Sequence, residues 1–162
     1  MSKGIWFYGL SGSGKTYAAN IVKSVISNSY QIDGDDVRKF ISTDLNYTTS
    51  DRTKQIGRIF GLIQLTIKNG LFPVASSVFM DRQTFNKCDN LNVQIVRIER
   101  SFAAVSKVRD LYDSDAINVV GKDIELQDIG TTIITNCGSE KFEKKIKNYI
   151  KQVSNIQFDS SR

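Results

Sequence analysis

The first apolar stretch of the chain is continuous: Ile5, Trp6, Phe7 and Tyr8 follow Gly4 without a polar break. A short unbroken run of this kind predicts a strand buried on both faces of a parallel sheet. A Gly/Ser-rich turn follows, and then the period changes. From Lys15 to Ser27, the residues Ala18, Ala19, Ile21, Val22, Val25 and Ile26 recur at helical spacing. Tyr30 to Ile32 reads as a second short strand, ending at Asp33-Gly34-Asp35-Asp36. Ile56, Ile59, Phe60, Ile63 and Ile67 recur three and four apart and predict a long helix from Ser50 to Lys68, which Asn69-Gly70 stops. Phe72 to Val78 and Val93 to Ile98 are a third and a fourth strand, and the β-branched run Thr131 to Thr135 is a fifth. Ser101 to Arg109 reads as helix with Ser101 as N-cap. Asp110 to Gly130 is polar and irregular, and Ser139 to Val153 closes the chain as an amphipathic helix.

Strands alternating with helices predict an α/β fold, a five-stranded parallel sheet with helices on both faces. The expected organisation is one domain over residues 1–153, with 110–130 as a short lid and 154–162 as a loose C-terminal tail. In such sheets ligands bind beyond the carboxyl ends of the strands. Those ends carry Gly9 to Thr16, Asp33 to Arg38, Ser76 to Arg82 and the segment after Ile98, so the polar residues of interest converge on one rim.

Composition narrows the chemistry. The chain has 162 residues, 40 % hydrophobic and 24 % charged, the balance of a soluble globular protein. There is no histidine, and the two cysteines, Cys88 and Cys137, lie far apart, which removes zinc sites and every histidine-based mechanism. Both thiols are expected to be buried and reduced in a cytoplasmic protein. No apolar run reaches the ~18 residues of a membrane span, and the N-terminus lacks the order of a signal peptide. The net charge of +5 suits a binder of small polyanions. The lysines between Lys141 and Lys151 follow a helical rhythm and read as a solvated helix face, so neither nucleic acid nor membrane is an expected partner.

Gly9-Leu10-Ser11-Gly12-Ser13-Gly14-Lys15-Thr16 matches G-x-x-x-x-G-K-[ST] in full, after a strand and opening a helix. Glycines let such a loop curl its amides toward phosphate oxygens at the positive end of a helix dipole. Lys15 is expected to reach the transferring phosphates of ATP, and Thr16 to place its hydroxyl on Mg²⁺. With the strand–helix alternation, this predicts a P-loop NTPase fold. The guanine signature Asn-Lys-x-Asp is absent, which leaves a small-molecule kinase.

Asp33-Gly34-Asp35-Asp36-Val37-Arg38, followed by Asp44-Leu45-Asn46-Tyr47-Thr48-Thr49-Ser50-Asp51-Arg52, resembles the adenylylsulfate (APS) kinase family, whose pattern runs D-G-D-N-V-R and then D-L-G-F-S-x-x-D-R. Taken alone, Asp33-Gly34-Asp35 could equally be a turn held by Asx hydrogen bonds. The resemblance implies transfer of the ATP γ-phosphoryl group to the ribose 3′-hydroxyl of a nucleotide. It places Asp35 at the acceptor hydroxyl, as base or through Mg²⁺, and Arg38 and Arg52 on the acceptor's phosphate-like groups. It stacks Tyr47 on the acceptor base and Arg109 on the ATP adenine. Asp33, Gln55, Phe79, Arg82 and Val119 complete the acceptor side, and a homodimer is the implied assembly.

The chain departs from that pattern on the acceptor side. Gln55 replaces an Asn, Gly57 an Arg, Ser77 to Arg82 a Phe-Ile-Ser-Pro segment, and Val119 the lid Phe. Loss of one of two rings that would clamp adenine predicts a retuned acceptor. The cytidine diphosphoramidate kinases of capsule phosphoramidate synthesis are similar to APS kinases and use a smaller base. That acceptor is preferred here to APS itself. A kinase for a small alcohol and a non-catalytic nucleotide-binding regulator are the alternatives. The Asp-Gly-Asp-Asp-Val-Arg segment argues against the first, and the complete phosphate loop against the second.

Overall fold

In the computed structural model, which describes residues 2–107 and 109–154, five parallel strands form one sheet in the order β2-β3-β1-β4-β5. The strands are β1 (Gly4–Tyr8), β2 (Ser29–Asp33), β3 (Phe72–Ser77), β4 (Val93–Glu99) and β5 (Thr132–Thr135). The helices are α1 (Lys15–Val25), α2 (Gly34–Phe40), α3 (Thr49–Lys68), α4 (Arg82–Asn90), α5 (Phe102–Ser106) and α6 (Ser139–Ser154). The expected five strands are all present, and their ends shift by no more than a residue or so.

Strand β1 lies at the centre, hydrogen-bonded to β3 and β4, and all five of its residues are buried. Alternation along it divides the core. Ile5 and Phe7 point to the face covered by α1 and α6, where they meet Ala18, Val22, Phe142 and Ile146. Trp6 and Tyr8 point to the face covered by α2, α3 and α4, where they meet Val37, Ile56, Ile59, Ile63 and Cys88. A third, smaller cluster of Val105, Tyr112 and Val119 sits under the lid.

Two helices run where the apolar pattern gave no signal. The first is α2, which begins directly at the end of β2. Asp33 caps it, its Oδ1 accepting the Asp35 amide at 2.9 Å. A Cβ on Gly34 would fall 2.7 Å from the Ser76 carbonyl oxygen, so only glycine lets this helix start against β3. The second, α4, is almost wholly polar in sequence. It is fixed by its Asp81 cap, which accepts the Thr84 amide at 2.7 Å, and by burial of Cys88 and Thr84.

The helix expected at Ser101 to Arg109 shrinks to α5, and the Ser101 side chain makes no cap bond. The segment read as irregular holds a 3-10 turn, Asp110–Tyr112, and a bridge between Val120 and Ile124. Of the thiols, Cys88 is buried, and desolvation pushes it up to about 12, but Cys137 is exposed, since it follows β5 on the open rim. Ser154, expected to begin the tail, belongs to α6 and is buried, its hydroxyl donating to Ile150 O at 2.6 Å, and the rest of the expected tail lies outside the described residues. Among the described residues no helix is long and apolar enough to cross a membrane.

The core is tied to the rim through Ser77. The buried Trp6 indole donates to Ser77 Oγ at 2.9 Å, and that hydroxyl donates onward to Phe79 O at 2.7 Å. Replacing Ser77 by Ala leaves the indole N–H buried and unpaired, and such a group costs about 1–3 kcal/mol. We expect Ser77→Ala to lower the urea midpoint by that equivalent at unchanged m-value; an unmoved midpoint would show that the bond carries no net stability.

Candidate active site

The rim of the sheet opens into one cleft of about 600 Å³, within the usual range for small-molecule sites. The phosphate loop closes one end. Gly9 has φ +146°, and a Cβ there would lie 2.3 Å from the Ile98 carbonyl oxygen, so a side chain is excluded where β1 turns into the loop. The loop carbonyls are held from outside. Lys15 Nζ donates to Leu10 O at 2.8 Å, Tyr112 Oη to Ser11 O at 3.0 Å, Arg100 to Gly12 O at 3.2 Å and Asn136 Nδ2 to Ser13 O at 2.8 Å. With its carbonyls engaged, the loop can offer amides to an anion at the start of α1.

Ser11, Gly12, Gly14, Lys15 and Thr16 line the cleft, whereas Gly9 and Ser13 build the loop from behind, and Ser13 is fully buried. Tyr112, Arg100 and Asn136 were not picked out from sequence as site residues. Asn136 follows the last β-branched strand and Arg100 follows β4, so their place at strand ends was the available signal.

The middle of the cleft is acidic. Asp33 ends β2, and its Oδ2 accepts the Thr16 hydroxyl at 3.3 Å and the Ser76 hydroxyl at 2.9 Å. Asp35, in the first turn of α2, is exposed and lines the cleft. Burial holds the Lys15 ammonium down, to about 8; Asp35 and Asp33 oppose the effect and Arg109 adds to it. Arg109 therefore lies within electrostatic reach of the phosphate end. Thr16, Asp33 and Asp35 supply hard oxygen donors, as Mg²⁺ prefers, and the described residues include no group of three or more His, Cys, Asp or Glu that could form a protein-only metal cage. The set fits an ion that takes its other ligands from phosphate and water.

The far end carries Arg38, Tyr47, Arg52 and Gln55. Tyr47 is 54 % exposed, and its ring lies 4.5 Å from Arg38 Cζ and 5.5 Å from Arg52 Cζ. Both guanidiniums also hold backbone. Arg38 donates to Asn46 O at 2.9 Å; Arg52 donates to Tyr47 O at 3.0 Å and to Asn118 O of the lid at 2.6 Å. Each keeps further N–H groups for an anion. Phe79 lines the cleft floor and is buried.

Two expected residues are placed differently. Arg82 does not line the cleft: as first residue of α4 it is turned onto Phe85, 5.5 Å from that ring centroid. Val119 lines the cleft but is only 4 % exposed, because it packs with Tyr112 and Val105. The lid's most exposed apolar side chain is instead Ile117, at 76 %, with Leu111 at 40 %.

Comparison with known proteins gives the family and the fold. The family model for adenylylsulphate kinase matches residues 1–113. An adenylyl-sulfate kinase of Buchnera aphidicola subsp. Acyrthosiphon pisum is 36 % identical over 78 residues, which are 46 % of this chain and 38 % of that relative. The chain thus matches less than two-fifths of the length of this curated relative. An APS kinase of Mycobacterium tuberculosis, solved with AMPPNP and APS, superposes with a TM-score of 0.84 at 19 % identity, covering 96 % of this chain and 98 % of that one. A gluconokinase from Sinorhizobium meliloti 1021 shares the fold at a TM-score of 0.65 and 14 % identity, covering 94 % and 91 %. The fold is therefore shared with structures named as kinases of different acceptors.

The depressed Lys15 gives a readout of phosphate binding. Below about pH 8 the free ammonium is already charged; above that it is largely neutral. A polyphosphate beside it favours the charged form, so binding at about pH 9 takes up a proton and binding at about pH 6.5 does not. Calorimetry of nucleoside triphosphate binding in buffers of different ionisation enthalpy should show this uptake only at the higher pH; buffer-independent heats at both would contradict it.

Proposed function

This chain belongs to the adenylylsulphate kinase family, and we propose that it transfers the γ-phosphoryl group of ATP to the ribose 3′-hydroxyl of a nucleotide. One observation carries the reading. A single cleft holds a phosphate loop at one end and, at the other, two guanidiniums beside an exposed tyrosine ring, with carboxylates between. Phosphoryl transfer asks a protein for positioning and charge neutralisation and for little covalent chemistry.

In this reading Lys15 and the loop amides hold the β- and γ-phosphates. Thr16 and Asp35, with Asp33 beside them, hold Mg²⁺, which when bound neutralises charge on those phosphates. Asp35 orients the acceptor hydroxyl and receives its proton. The new bond joins the ribose 3′-oxygen to phosphorus, and the bond to the departing diphosphate breaks. Arg38 and Arg52 fork onto the acceptor's phosphate and its second tetrahedral group, since the planar guanidinium donates paired hydrogen bonds. Tyr47 offers a face to the base. Arg109 closes over the nucleotide from the lid, on the adenine or, as its reach to Lys15 suggests, nearer the phosphates. The protein is cytoplasmic and acts on small molecules.

Two acceptors fit. Cytidine diphosphoramidate is favoured by the lid: its cleft-lining residues from 116 to 120 carry no ring, and its cleft-lining Tyr112 is buried and bonded to Ser11 O, which leaves Tyr47 without an opposing lid ring and suits a smaller base. APS is favoured by the relatives, whose names carry it. Parallel ATP-dependent assays with both acceptors, with the phosphorylated position read by ³¹P NMR, decide between them. Turnover with neither, nor with any related nucleoside 5′-diphosphate analogue, would overturn the kinase reading.

Two substitutions separate the halves of the site. Asp35→Asn should lower kcat by ~10²–10⁴-fold, the usual contribution of a positioned acid–base group, with a smaller change in ATP affinity; retention of full kcat would reduce Asp35 to a helix-start residue. Arg52→Ala should raise the acceptor KM at least ~10-fold, as for loss of a charge-assisted hydrogen bond, and leave the ATP KM nearly unchanged. A larger rise in ATP KM would mean the two ends are assigned the wrong way round.

A further inference from the structure

Tyr17 lies two residues beyond Lys15, in the first turn of α1. It lines the cleft and is 42 % exposed. Its ring rests on Phe142 of α6, with centroids 6.1 Å apart and planes 22° from parallel. Its hydroxyl donates to Glu143 Oε2 at 3.3 Å, and Glu143 is itself paired with Lys147 at 2.6 Å. Phe142 cannot shift easily, because it is buried in the core among Ile5, Phe7 and Ile146. The plane of the Tyr17 ring is therefore set in advance: one face is backed by Phe142, and the exposed area is what that stack leaves uncovered.

This pair of rings adjoins the phosphate loop. A Cβ on Gly14 would fall 3.3 Å from Phe142 Cε1 and 2.6 Å from Asn136 Nδ2. The rings also lie away from the acceptor motif. Helices α1 and α6 cover one face of the sheet, whereas α2 and α3, which carry Arg38 and Arg52, cover the other. Asp33 ends β2 and Asp35 begins α2, on that second side. A triphosphate whose terminal phosphate points to those carboxylates carries its nucleoside the other way, toward the groove between α1 and α6. Arg109 lies within electrostatic reach of Lys15, at the phosphates, so a base on this side calls for another partner.

We propose that the open face of Tyr17 is the surface on which the base of the phosphate donor stacks. This rests on the reading above that the phosphate loop takes a nucleoside triphosphate. An aromatic face grips any base through its π-face, and a ring already held in place loses little freedom when the base arrives. The hydroxyl, bonded to Glu143, only steadies the ring. Tyr17 and Tyr47 then serve two different nucleosides, one on each side of the phosphate loop.

The test measures binding by calorimetry in the presence of Mg²⁺, with a non-hydrolysable ATP analogue and with inorganic tripolyphosphate, so that it depends neither on turnover nor on the acceptor. Tyr17→Leu, which still covers Phe142, should weaken the ATP analogue about tenfold or more and change tripolyphosphate by less than about twofold. Tyr17→Phe, which keeps the ring and loses the Glu143 bond, should stay within about threefold of wild type for both. A third measurement needs no variant. In the complex of the wild-type protein with the ATP analogue, adenine H2 and H8 should shift upfield and show nuclear Overhauser contacts to the Tyr17 ring protons. Equal losses for both ligands in Tyr17→Leu, an unchanged affinity for the ATP analogue, a Phe variant as weak as the Leu variant, or absence of the Overhauser contacts would overturn the role of Tyr17 alone. If neither ligand binds the wild-type protein, the phosphate-donor reading falls and this inference with it.

Discussion

The structure depends on holding the carbonyls of a glycine-rich turn away from the site it builds. Four consecutive carbonyls, Leu10 to Ser13, receive donors from Lys15, Tyr112, Arg100 and Asn136. A loop with free carbonyls on its inner side would repel a phosphate; one whose carbonyls are engaged can turn amides to it, with the α1 dipole behind them. The arrangement needs β1 at the centre of the sheet, because only there can residues following β4 and β5 and the lid all reach the same turn. It also needs glycine at position 9, where the backbone passes against Ile98.

The same clamp links the two ends of the cleft. Tyr112 ties the lid to the loop, and Arg52 ties the lid at Asn118 to the segment at Tyr47. Asp123 accepts the amides of Asn118 and Val119 and shapes the lid turn between these ties. Lid, phosphate loop and the Tyr47 segment are therefore braced by one set of side-chain-to-backbone bonds. The guanidiniums of Arg38 and Arg52 that hold this frame also line the cleft. Charge follows the same logic: Lys15, Arg38, Arg52 and Arg109 face two carboxylates, an excess of positive charge suited to polyanionic ligands.

The amino-acid sequence alone was enough to specify the strands, their parallel alternation with helices and the glycine-rich loop, because each is a local pattern. A strand or helix declares itself by which neighbours two, three or four residues away are apolar, and the loop by glycines whose spacing is set by the backbone itself. The same locality explains the misses. Helix α4 buries too little to show a period, and α2 begins at an Asp-Gly-Asp that reads as a turn until Asp33 is seen to cap it.

What only the tertiary structure decided is which distant groups meet. Asn136 is 123 residues from the carbonyl it holds, and Arg100 is 88 from its own, separations at which no pattern in the chain announces a partner. Arg82 turns onto Phe85 because α4 starts there, and Val119 is drawn under the lid by Tyr112 and Val105, leaving Ile117 exposed. Gln55 was expected on the acceptor side from the resemblance alone. That one end of its amide is satisfied by Gly34 and the other is buried without a hydrogen-bond partner follows from α3 packing against the start of α2. Hydrogen-bond partners are fixed by where folded surfaces come within about 3 Å of each other, and that distance is set by the packing of the whole sheet.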